Sequence, residues 1–369
     1  MQSDEALANV LGKLAGAAEL AVDTEFMRRN TYYPQVALLQ LCAEDHAYLV
    51  DPLMIEELTP LRDLMADPAV VKILHSCSED LEVFRRWLGV LPTPLIDTQR
   101  AAALLGETFG LGYRALVESL VGITLDKGET RSDWLRRPLT ESQCHYAAQD
   151  VLQLLPAWHC LKERAVAQGR MAWIREEGEA VSAALYERER DLFRRIKGSG
   201  RLNERQLEVL RRISEWREER ARSIDKPRGW ILEDKVCLAL ARVMPGDTPA
   251  LASIEAMPAA VVRRQGDTLL RLIDEARDVA AEHLPAALPK PLPAEQRAAL
   301  KELREHAREI AEDLAIAPEA GLSTADLEQL VREAHGERSA DSDVAPRWSG
   351  WREATFAAPL REKLGEHSV

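Results

Sequence analysis

Short apolar runs alternate with polar stretches in the N-terminal part of the chain. These runs are rich in Val, Leu and Ile and are bounded by polar or turn-forming residues, which is typical of β-strands. We predict strands over residues 19–26, 36–42, 47–50, 70–74 and 94–96. The polar segment AEDH between the second and third runs predicts a hairpin. Helical patterns lie between the later runs, so the fold class is α/β.

Beyond residue 104 the pattern is almost wholly helical, with apolar residues three or four apart over 205–222 and 294–314. Two stretches interrupt it. Residues 196–204 (IKGSGRLNE) read as a linker or hinge, and residues 283–293 (HLPAALPKPLP) read as a semi-rigid spacer because of their prolines. We therefore predict three domains, at 1–195, 203–282 and 294–369.

The composition is that of a globular chain, with 46% hydrophobic and 30% charged residues. No apolar run is long enough to span a membrane, and acids stand where a signal peptide would carry its positive charges. The five cysteines form no CxxC pair, so we expect reduced thiols. These features predict a cytoplasmic protein with no membrane partner.

The net charge of −13 argues against a nucleic-acid partner, but the charge is unevenly spread. Between residues 188 and 228 Lys and Arg outnumber Asp and Glu. A basic stretch can hold a phosphate backbone locally, because salt screens charges beyond about 8–10 Å. The alternative is a solvated helix face with i,i+4 ion pairs. Both interpretations stay open at this point.

Acidic residues inside apolar runs are the candidate catalytic or metal-binding residues. Asp23 and Glu25 lie two apart on a predicted strand, so both carboxylates point to the same face. Two like charges there need compensation, and a cation is the simplest form; a water-exposed acidic face is the alternative.

Asp80 follows the strand predicted at 70–74. Ser76 and Glu79 match the S/T-x-x-E capping box, so a helix is expected to begin there and to end near Gly89. Asp80 would lie in its first turn, where the helix dipole alone could explain an acid. Asp97 is interpreted only as the cap of the next helix.

A third segment combines a tyrosine with an acid. Thr140 and Gln143 form another capping box, and the helix that they begin carries Tyr146 and Asp150 four residues apart. Those two side chains share one helix face. A surface pair is the alternative when this segment is considered alone.

Together the four acids satisfy the requirement for hydrolysing a phosphodiester. Four carboxylates can bind two divalent cations about 3.5–4 Å apart, one activating a water and the other stabilising the leaving oxygen. Oxygen ligands favour Mg²⁺ or Mn²⁺. Tyr146, with an ordinary pKa of about 10, would be neutral and orient the attacking water.

These motifs resemble those of a known family. LAVDTEF, HSCSEDLEVF and YAAQD are similar to the three motifs of the DEDD superfamily of 3′→5′ exonucleases, in its tyrosine-bearing branch. The stretch from LGYRALVESL to CHYAAQDV resembles bacterial ribonuclease D. The resemblance implies a ribonuclease-H-like α/β domain with a mixed sheet flanked by helices. It also implies catalytic roles for Tyr146 and for the metal ligands Asp23, Glu25, Asp80 and Asp150.

His145 is a second candidate for the role of Tyr146. It lies five residues before Asp150, which is the spacing of the histidine-bearing branch of the same superfamily. On a continuous helix His145 would point about 140° away from Asp150, whereas Tyr146 stays on its face. We therefore assign the role to Tyr146.

The helical C-terminal part resembles a second family. LRRISEWREERARSIDKPRGWILEDKVCLALARVMP is similar to the HRDC domain, a small all-α bundle, and 294–369 resembles a more divergent copy. The resemblance implies auxiliary nucleic-acid binding. It makes five arginines candidates for RNA-backbone contact: Arg211, Arg212, Arg217, Arg220 and Arg222.

Further residues are candidates for binding the 3′ end of a substrate. His75 and Ser76 precede Asp80 and could reach a terminal nucleotide. Trp134, with Lys127 and Arg131 nearby, could stack on a base or clamp a phosphate. The alternative for Trp134 is packing in the core or under a lid.

The resemblance implies a metal-dependent 3′→5′ exoribonuclease that trims tRNA precursors and other small structured RNAs and releases 5′-mononucleotides. Two alternatives stay open: a DNA 3′→5′ exonuclease with the same carboxylates, and a catalytically silent RNA-binding scaffold. We expect the chain to be a monomer.

Overall fold

The computed structural model describes residues 1–126, 128–129, 132–187, 191–337 and 348–366. The chain divides into two compact units. The first comprises Met1–Met27, Pro34–Leu185 and Pro293–Val369, and the second comprises Arg28–Tyr33 and Tyr186–Leu292.

A five-stranded sheet lies at the centre of the first unit. Its strands are β1 (Glu19–Met27), β2 (Gln35–Ala43), β3 (His46–Val50), β4 (Val71–Leu74) and β5 (Leu95–Asp97). The spatial order is β3-β2-β1-β4-β5. The pairs β1–β2 and β2–β3 are antiparallel, whereas β1–β4 and β4–β5 are parallel. The predicted strands, the hairpin and the mixed sheet are confirmed.

The α-helices of the described residues are divided between the two units. In chain order they are α1 (Asp4–Leu14), α2 (Thr59–Ala66), α3 (Ser78–Trp87), α4 (Thr98–Leu104), α5 (Tyr113–Val121), α6 (Glu141–Leu152), α7 (Leu154–Ala167), α8 (Met171–Glu187), α9 (Glu204–Ser223), α10 (Arg228–Ile231), α11 (Asp234–Val243), α12 (Thr248–Ala252), α13 (Ala259–Arg277), α14 (Ala294–Asp313), α15 (Thr324–Ala334) and α16 (Ala358–Glu366). Short 3₁₀ turns lie at Leu192–Arg195, Ser199–Arg201, Ala281–His283 and Pro318–Ala320, and a π-helical turn at Glu353–Ala357 precedes α16.

The alternation of side chains along β1 separates an apolar face from an acidic one. Leu20 and Val22 point into the main core of the first unit, where they pack with Leu41 and Phe84. The opposite face of the sheet is covered by α6 and bears a smaller cluster around Leu38. The acidic positions of β1 alternate with the apolar ones, so the core packing of one face fixes the placement of the other.

The segment after residue 293 belongs to the first unit. The indole of Trp351 stacks on Trp173 with ring centroids 4.7 Å apart. The buried carboxylate of Glu177 pairs with Arg100 and Arg352. Residues 294–369 are therefore not a separate compact unit, and their likeness to an HRDC domain stays a prediction.

The second unit is a helical bundle around α9. Asn203 and Gln206 form a capping box at its N-terminus. Ile196 and Leu202 are buried in the core of this unit. Residues 196–204, predicted as a linker, thus pack inside the second unit, whose main segment already begins at Tyr186. The glycine and serine residues of this stretch form a sharp turn and are not a flexible connection between domains.

Within the described ranges, no helix is long and apolar enough to cross a membrane. All five cysteines carry free thiols, as predicted.

Candidate active site

The first two acids lie on β1, the central strand of the sheet. Asp23 pairs with Gln40 of β2, and Glu25 pairs with Leu38. The register then shifts, because Phe26 pairs with Val36 and leaves one extra residue on β2. This bulge lies directly beside Glu25, where such irregularities commonly re-aim a side chain.

Asp150 joins these two acids from α6. The predicted capping box is present, with the Thr140 hydroxyl accepting from the Gln143 amide and the Gln143 side chain accepting from the Thr140 amide. The helix that begins there packs against β1, β2 and β3. One carboxylate oxygen each from Asp23, Glu25 and Asp150 lies within 4.8 Å of the others. Residues remote in the chain therefore meet, as predicted.

Asp80 is the fourth acid and lies in the first turn of α3. Its side chain is buried and accepts a hydrogen bond from the hydroxyl of Thr24, the residue between Asp23 and Glu25. The charge of Asp80 acts on both Asp23 and Glu25. Asp80 thus borders the cluster of three carboxylates while Thr24 holds one of its oxygens.

The capping box predicted at Ser76 is wrong. Cys77 is the N-cap residue of α3 and makes no side-chain cap, and Ser76 has a positive φ of 57°. The carboxylate of Asp97 instead accepts hydrogen bonds from the amides of Ser76 and Cys77, at 2.9 and 3.2 Å. Asp97 also caps α4 by accepting from the amide of Gln99, as predicted.

Burial raises the pKa of all four acids, and the charges of the other acids raise it further at Asp23 and Glu25. Burial, followed by the charges of Asp80, Asp150 and Glu25, raises the pKa of Asp23 well above its ordinary value. Burial and the charges of Asp150 and Asp80 raise the pKa of Glu25 to about 8. Burial raises the pKa of Asp80 and that of Asp150 to about 7 each.

The same residues fit a divalent cation. Their oxygens are hard ligands, and three of them are already close enough to share one ion. A bound cation favours the charged form of each acid and so offsets the mutual repulsion. The cluster is thus a candidate metal site on the chemistry of its donors.

These pKa values lead to a testable pH dependence of stability. Unfolded Asp and Glu titrate near pH 4, but Glu25 titrates near 8 and Asp80 and Asp150 near 7 in the folded chain. The folded state therefore binds more protons in this range, and the free energy of unfolding falls as the pH rises from about 4 to about 8. A cation replaces those protons, so millimolar Mg²⁺ should raise Tm more at about pH 8 than at about pH 6. Thermal denaturation measures both shifts, and equal shifts would contradict the prediction.

Tyr146 lies on the acidic side of α6. Its hydroxyl hydrogen-bonds the carboxylate of Asp150. Burial and the neighbouring charges of Asp150, Glu25 and Asp23 raise the pKa of Tyr146, so the side chain stays a neutral phenol at pH 7. His145, the other candidate, is exposed on the wall of an adjoining cavity of about 460 Å³.

Gly128 lies directly against the ring of Tyr146. A Cβ atom at this position would lie 1.6 Å from Cε2 of Tyr146. Gly128→Ala is therefore expected to displace the phenol from Asp150 and to lower kcat by about tenfold or more. Because Gly128 is only half-buried, we expect Tm to change little. Steady-state kinetics with a thermal melt test this, and unchanged kcat would show that the ring tolerates the methyl group.

A small pocket of about 170 Å³ opens beside the acids. It is lined by Asp23, Glu25, Tyr146 and Asp150 together with Val22, His75, Tyr113 and Leu154. His75 Nδ1 lies 2.9 Å from the hydroxyl of Thr98. His75 is therefore at the site, and Ser76 is exposed next to it.

Trp134 does not line this pocket. Its side chain is 2% exposed and packs with Leu38 and Ala147 on the α6 face of the sheet. The prediction that Trp134 stacks on a base is wrong, because the ring is part of the core. Lys127 and Arg131, predicted beside it, lie outside the described residues.

Two arginines predicted to contact RNA are paired within α9 and its bundle. Glu208 is buried and accepts from Arg211 Nη2 and Arg212 Nε, each at 2.7 Å. Glu215 and Glu275 provide further partners. These charges match the alternative interpretation, a helix face with i,i+4 ion pairs.

The remaining arginines of α9 differ in exposure. Arg217 is 4% exposed and pairs with Asp234 at 2.7 Å, so its predicted contact with RNA is wrong. Arg222 Nη2 lies 3.2 Å from Glu218. Arg220 is exposed and stays a candidate.

Two residues at the site escaped the sequence analysis. The sequence gives Thr24 no role beyond its place between Asp23 and Glu25, yet its hydroxyl donates a hydrogen bond to Asp80. Tyr113 lines the pocket and donates a hydrogen bond to the Gln149 carbonyl at 2.9 Å. The Gly-Leu-Gly turn before Tyr113 was the available signal, since it begins a helix at the pocket.

Known families match both parts of the chain. A family model described as a 3′-5′ exonuclease matches residues 1–165, and the model of the HRDC domain matches residues 206–273. The mixed sheet and the acid cluster lie within the first match. Fold and site therefore define a nuclease hydrolase of the 3′→5′ exonuclease class with an HRDC domain.

Comparison with related proteins identifies the family within this class. The chain is 41% identical to ribonuclease D of Pseudomonas paraeruginosa, covering 99% of this chain and 95% of that protein. It is 36% identical to ribonuclease D of Escherichia coli, covering 99% and 98%. The chain belongs to the ribonuclease D family and is a 3′→5′ exoribonuclease.

A solved structure agrees with this assignment over the full length. The crystal structure of Escherichia coli RNase D, an exoribonuclease involved in structured RNA processing, superposes with a TM-score of 0.90 at 35% identity. The match covers 100% of this chain and 98% of that one. The predicted fold class and the predicted activity are confirmed.

Proposed function

We propose that this exoribonuclease removes nucleotides from the 3′ ends of tRNA precursors and other small structured RNAs. The cluster of three carboxylates within 4.8 Å, bordered by Asp80, carries the proposal. The structured-RNA substrates named for the Escherichia coli relative support the substrate class. We further propose that the protein acts as a monomer in the cytoplasm.

The acids would hold two divalent cations, Mg²⁺ or Mn²⁺. The proposed ligands are Asp23, Glu25, Asp80 and Asp150. When bound, the cations would supply the positive charge that acidifies an attacking water and stabilises the departing oxygen. Hydrolysis then breaks the bond between phosphorus and the 3′ oxygen of the penultimate nucleotide and releases a 5′-mononucleotide.

Tyr146 would orient the attacking water. Its phenol is neutral and its hydroxyl lies against Asp150, so it can hold a water at the cluster by a hydrogen bond. His75 and Tyr113 line the pocket beside the acids and are the proposed contacts for the terminal nucleotide. The pocket is about 170 Å³ in volume, so the nucleotide would lie partly outside it.

A direct test uses purified protein and a 3′-extended tRNA. We expect shortening from the 3′ end with release of mononucleotides, no reaction with a chelator, and recovery with excess Mg²⁺ or Mn²⁺. Matched RNA and DNA 3′ ends test the alternative of a DNA exonuclease. Equal or faster digestion of DNA would overturn the RNA assignment.

The other alternative, a catalytically silent RNA-binding scaffold, has a separate test. A scaffold would bind the 3′-extended tRNA but leave its length unchanged at every cation concentration. The acids argue against it, because four crowded carboxylates destabilise a fold unless something binds them.

The HRDC bundle would add contacts to RNA at an exposed aromatic and basic surface. Trp230 is 63% exposed on α10. Lys226 Nζ lies 5.9 Å from the centre of its ring, and Arg228 and Arg220 are exposed nearby in sequence. An exposed ring beside cations suits stacking on an unpaired base, with the cations near phosphates.

Trp230→Ala is therefore expected to weaken binding of single-stranded RNA by about tenfold, because base stacking on one ring contributes about 1–3 kcal/mol. Val243→Ala is the control, since Val243 is 59% exposed on the same bundle but offers no ring. Fluorescence anisotropy with labelled RNA measures both affinities. Equal RNA affinity of the two variants would exclude this surface as an RNA-binding site.

A further inference from the structure

The guanidinium of Arg137 is the centre of a hydrogen-bond network that includes Asp51 and the backbone of Ala37. It donates from Nε and Nη2 to the two carboxylate oxygens of Asp51, at 2.6 and 2.7 Å. Nη2 also donates to the carbonyl of Ala37 at 2.6 Å. Nη1 donates to the carbonyls of Trp134 and Arg136, at 2.7 and 3.1 Å. The five N–H groups of an arginine match these five bonds.

One of these contacts reaches the strand irregularity beside Glu25. Glu25 pairs with Leu38 and Phe26 pairs with Val36, so Ala37 is the extra residue of the bulge. Ala37 is fully buried. A hydrogen bond to its carbonyl therefore fixes the bulge at the point where it determines the direction of Glu25.

Another contact reaches the segment that leads into α6. The carbonyl of Trp134 is held by Arg137, and the ring of Trp134 lies 6.0 Å from that of Tyr146. Three residues after Arg137 the chain reaches Thr140, the cap of the helix that carries Tyr146 and Asp150. One side chain thus ties the β2 bulge to the start of α6.

Asp51 completes the network from the end of β3. Its side chain is 6% exposed and also accepts from the amide of Leu53. A bidentate pair between arginine and carboxylate fixes the plane of the guanidinium. The remaining donors are therefore aimed at Ala37 and Trp134 without freedom to rotate.

We infer that Arg137, aligned by Asp51, is a positioning residue that sets the separation between Glu25 on β1 and the Tyr146–Asp150 pair on α6. Arg137 does not touch the reacting atoms; it acts through the bulge and through the start of the helix. The inference rests on the proposed function, because it assumes that these acids and the tyrosine act together on one phosphodiester.

The test compares Arg137→Lys with Arg136→Lys. Lysine keeps the charge but cannot make the planar set of contacts. Arg136 is the control, because it is the exposed neighbour in the same segment. For Arg137→Lys we expect kcat to fall by about a hundredfold and the half-saturating Mg²⁺ concentration to rise by about tenfold, with KM for RNA nearly unchanged.

The parent protein is measured first for cation-dependent hydrolysis of RNA. No dependence in the parent would overturn the proposed function itself. A dependence in the parent, together with equal kcat and equal Mg²⁺ requirement in the two lysine variants, would overturn only the inference. If Arg137→Lys fails to fold, Asp51→Asn replaces it, since asparagine keeps the shape while weakening the alignment. Equal kcat and equal Mg²⁺ requirement in Asp51→Asn and Arg136→Lys would then overturn the inference, whereas the expected losses in Asp51→Asn alone would support it. Activity is normalised to the amount of folded protein.

Discussion

Replacing Tyr146 by phenylalanine is expected to lower kcat by about a hundredfold or more, whereas His145→Ala should keep most of the turnover. The phenol hydroxyl is the group that hydrogen-bonds Asp150 and faces the charges of Glu25 and Asp23. Phenylalanine removes that hydroxyl and keeps the ring. His145 is exposed on the adjoining cavity wall.

Single-turnover hydrolysis of a 3′-labelled RNA separates this effect from product release. We expect KM to change little for both variants, since neither removes a proposed metal ligand. The reverse result, with His145→Ala inactive and Tyr146→Phe active, would assign the chain to the histidine-bearing branch of its superfamily.

Replacing Asp150 by asparagine is expected to lower kcat by about a thousandfold or more, even at high Mg²⁺ concentration. Asparagine has the same shape but no charge, so the cluster keeps only two of its three carboxylates, and Tyr146 faces a neutral amide in place of an anionic partner. Relief of repulsion at Asp23 and Glu25 should at the same time leave the cation-free protein as stable as the parent or more so.

Glu141→Gln is the matched control for Asp150→Asn. Glu141 lies on the same helix, is exposed, and is outside the acid cluster. This change should leave kcat within about twofold of the parent while shifting stability by less than about 1 kcal/mol. Comparable losses in the two variants would show that helix stability, not the carboxylate, limits turnover.

Local signals in the sequence predicted the scaffold of the site well. The alternation along β1 placed Asp23 and Glu25 together, because the core packing of Leu20 and Val22 decides which face they occupy. The capping box at Thr140 was correct, since both of its partners lie within four residues.

Contacts between distant segments were not predictable in this way. Ser76 matched a capping box, yet Asp97, from the next strand, binds the amides at that turn. The cations near Trp134 in sequence made it a candidate for stacking on a base, but its ring packs under α6, as the core alternative predicts. In each case the contacting residue is remote in the chain. A sequence pattern does not show which remote residues lie close together in the fold.

The arginines of α9 show a different limit. The i,i+4 partners of Arg211, Arg212 and Arg222 are visible in the sequence. The burial of Glu208 and Arg217 is not. Burial makes an ion pair hard to open, since a charge left alone in the interior is costly. Whether an arginine is available to RNA therefore depends on packing that only the structure provides.

A calorimetric titration of Mn²⁺ into the cation-free protein, compared with Asp23→Asn, tests the central claim most directly. Asp23 interacts with the charges of all three other acids. The parent is expected to bind the cation with release of protons near pH 7, and the variant to bind at least about tenfold more weakly. Equal affinity and equal proton release in the two proteins would contradict a shared carboxylate site for the metal.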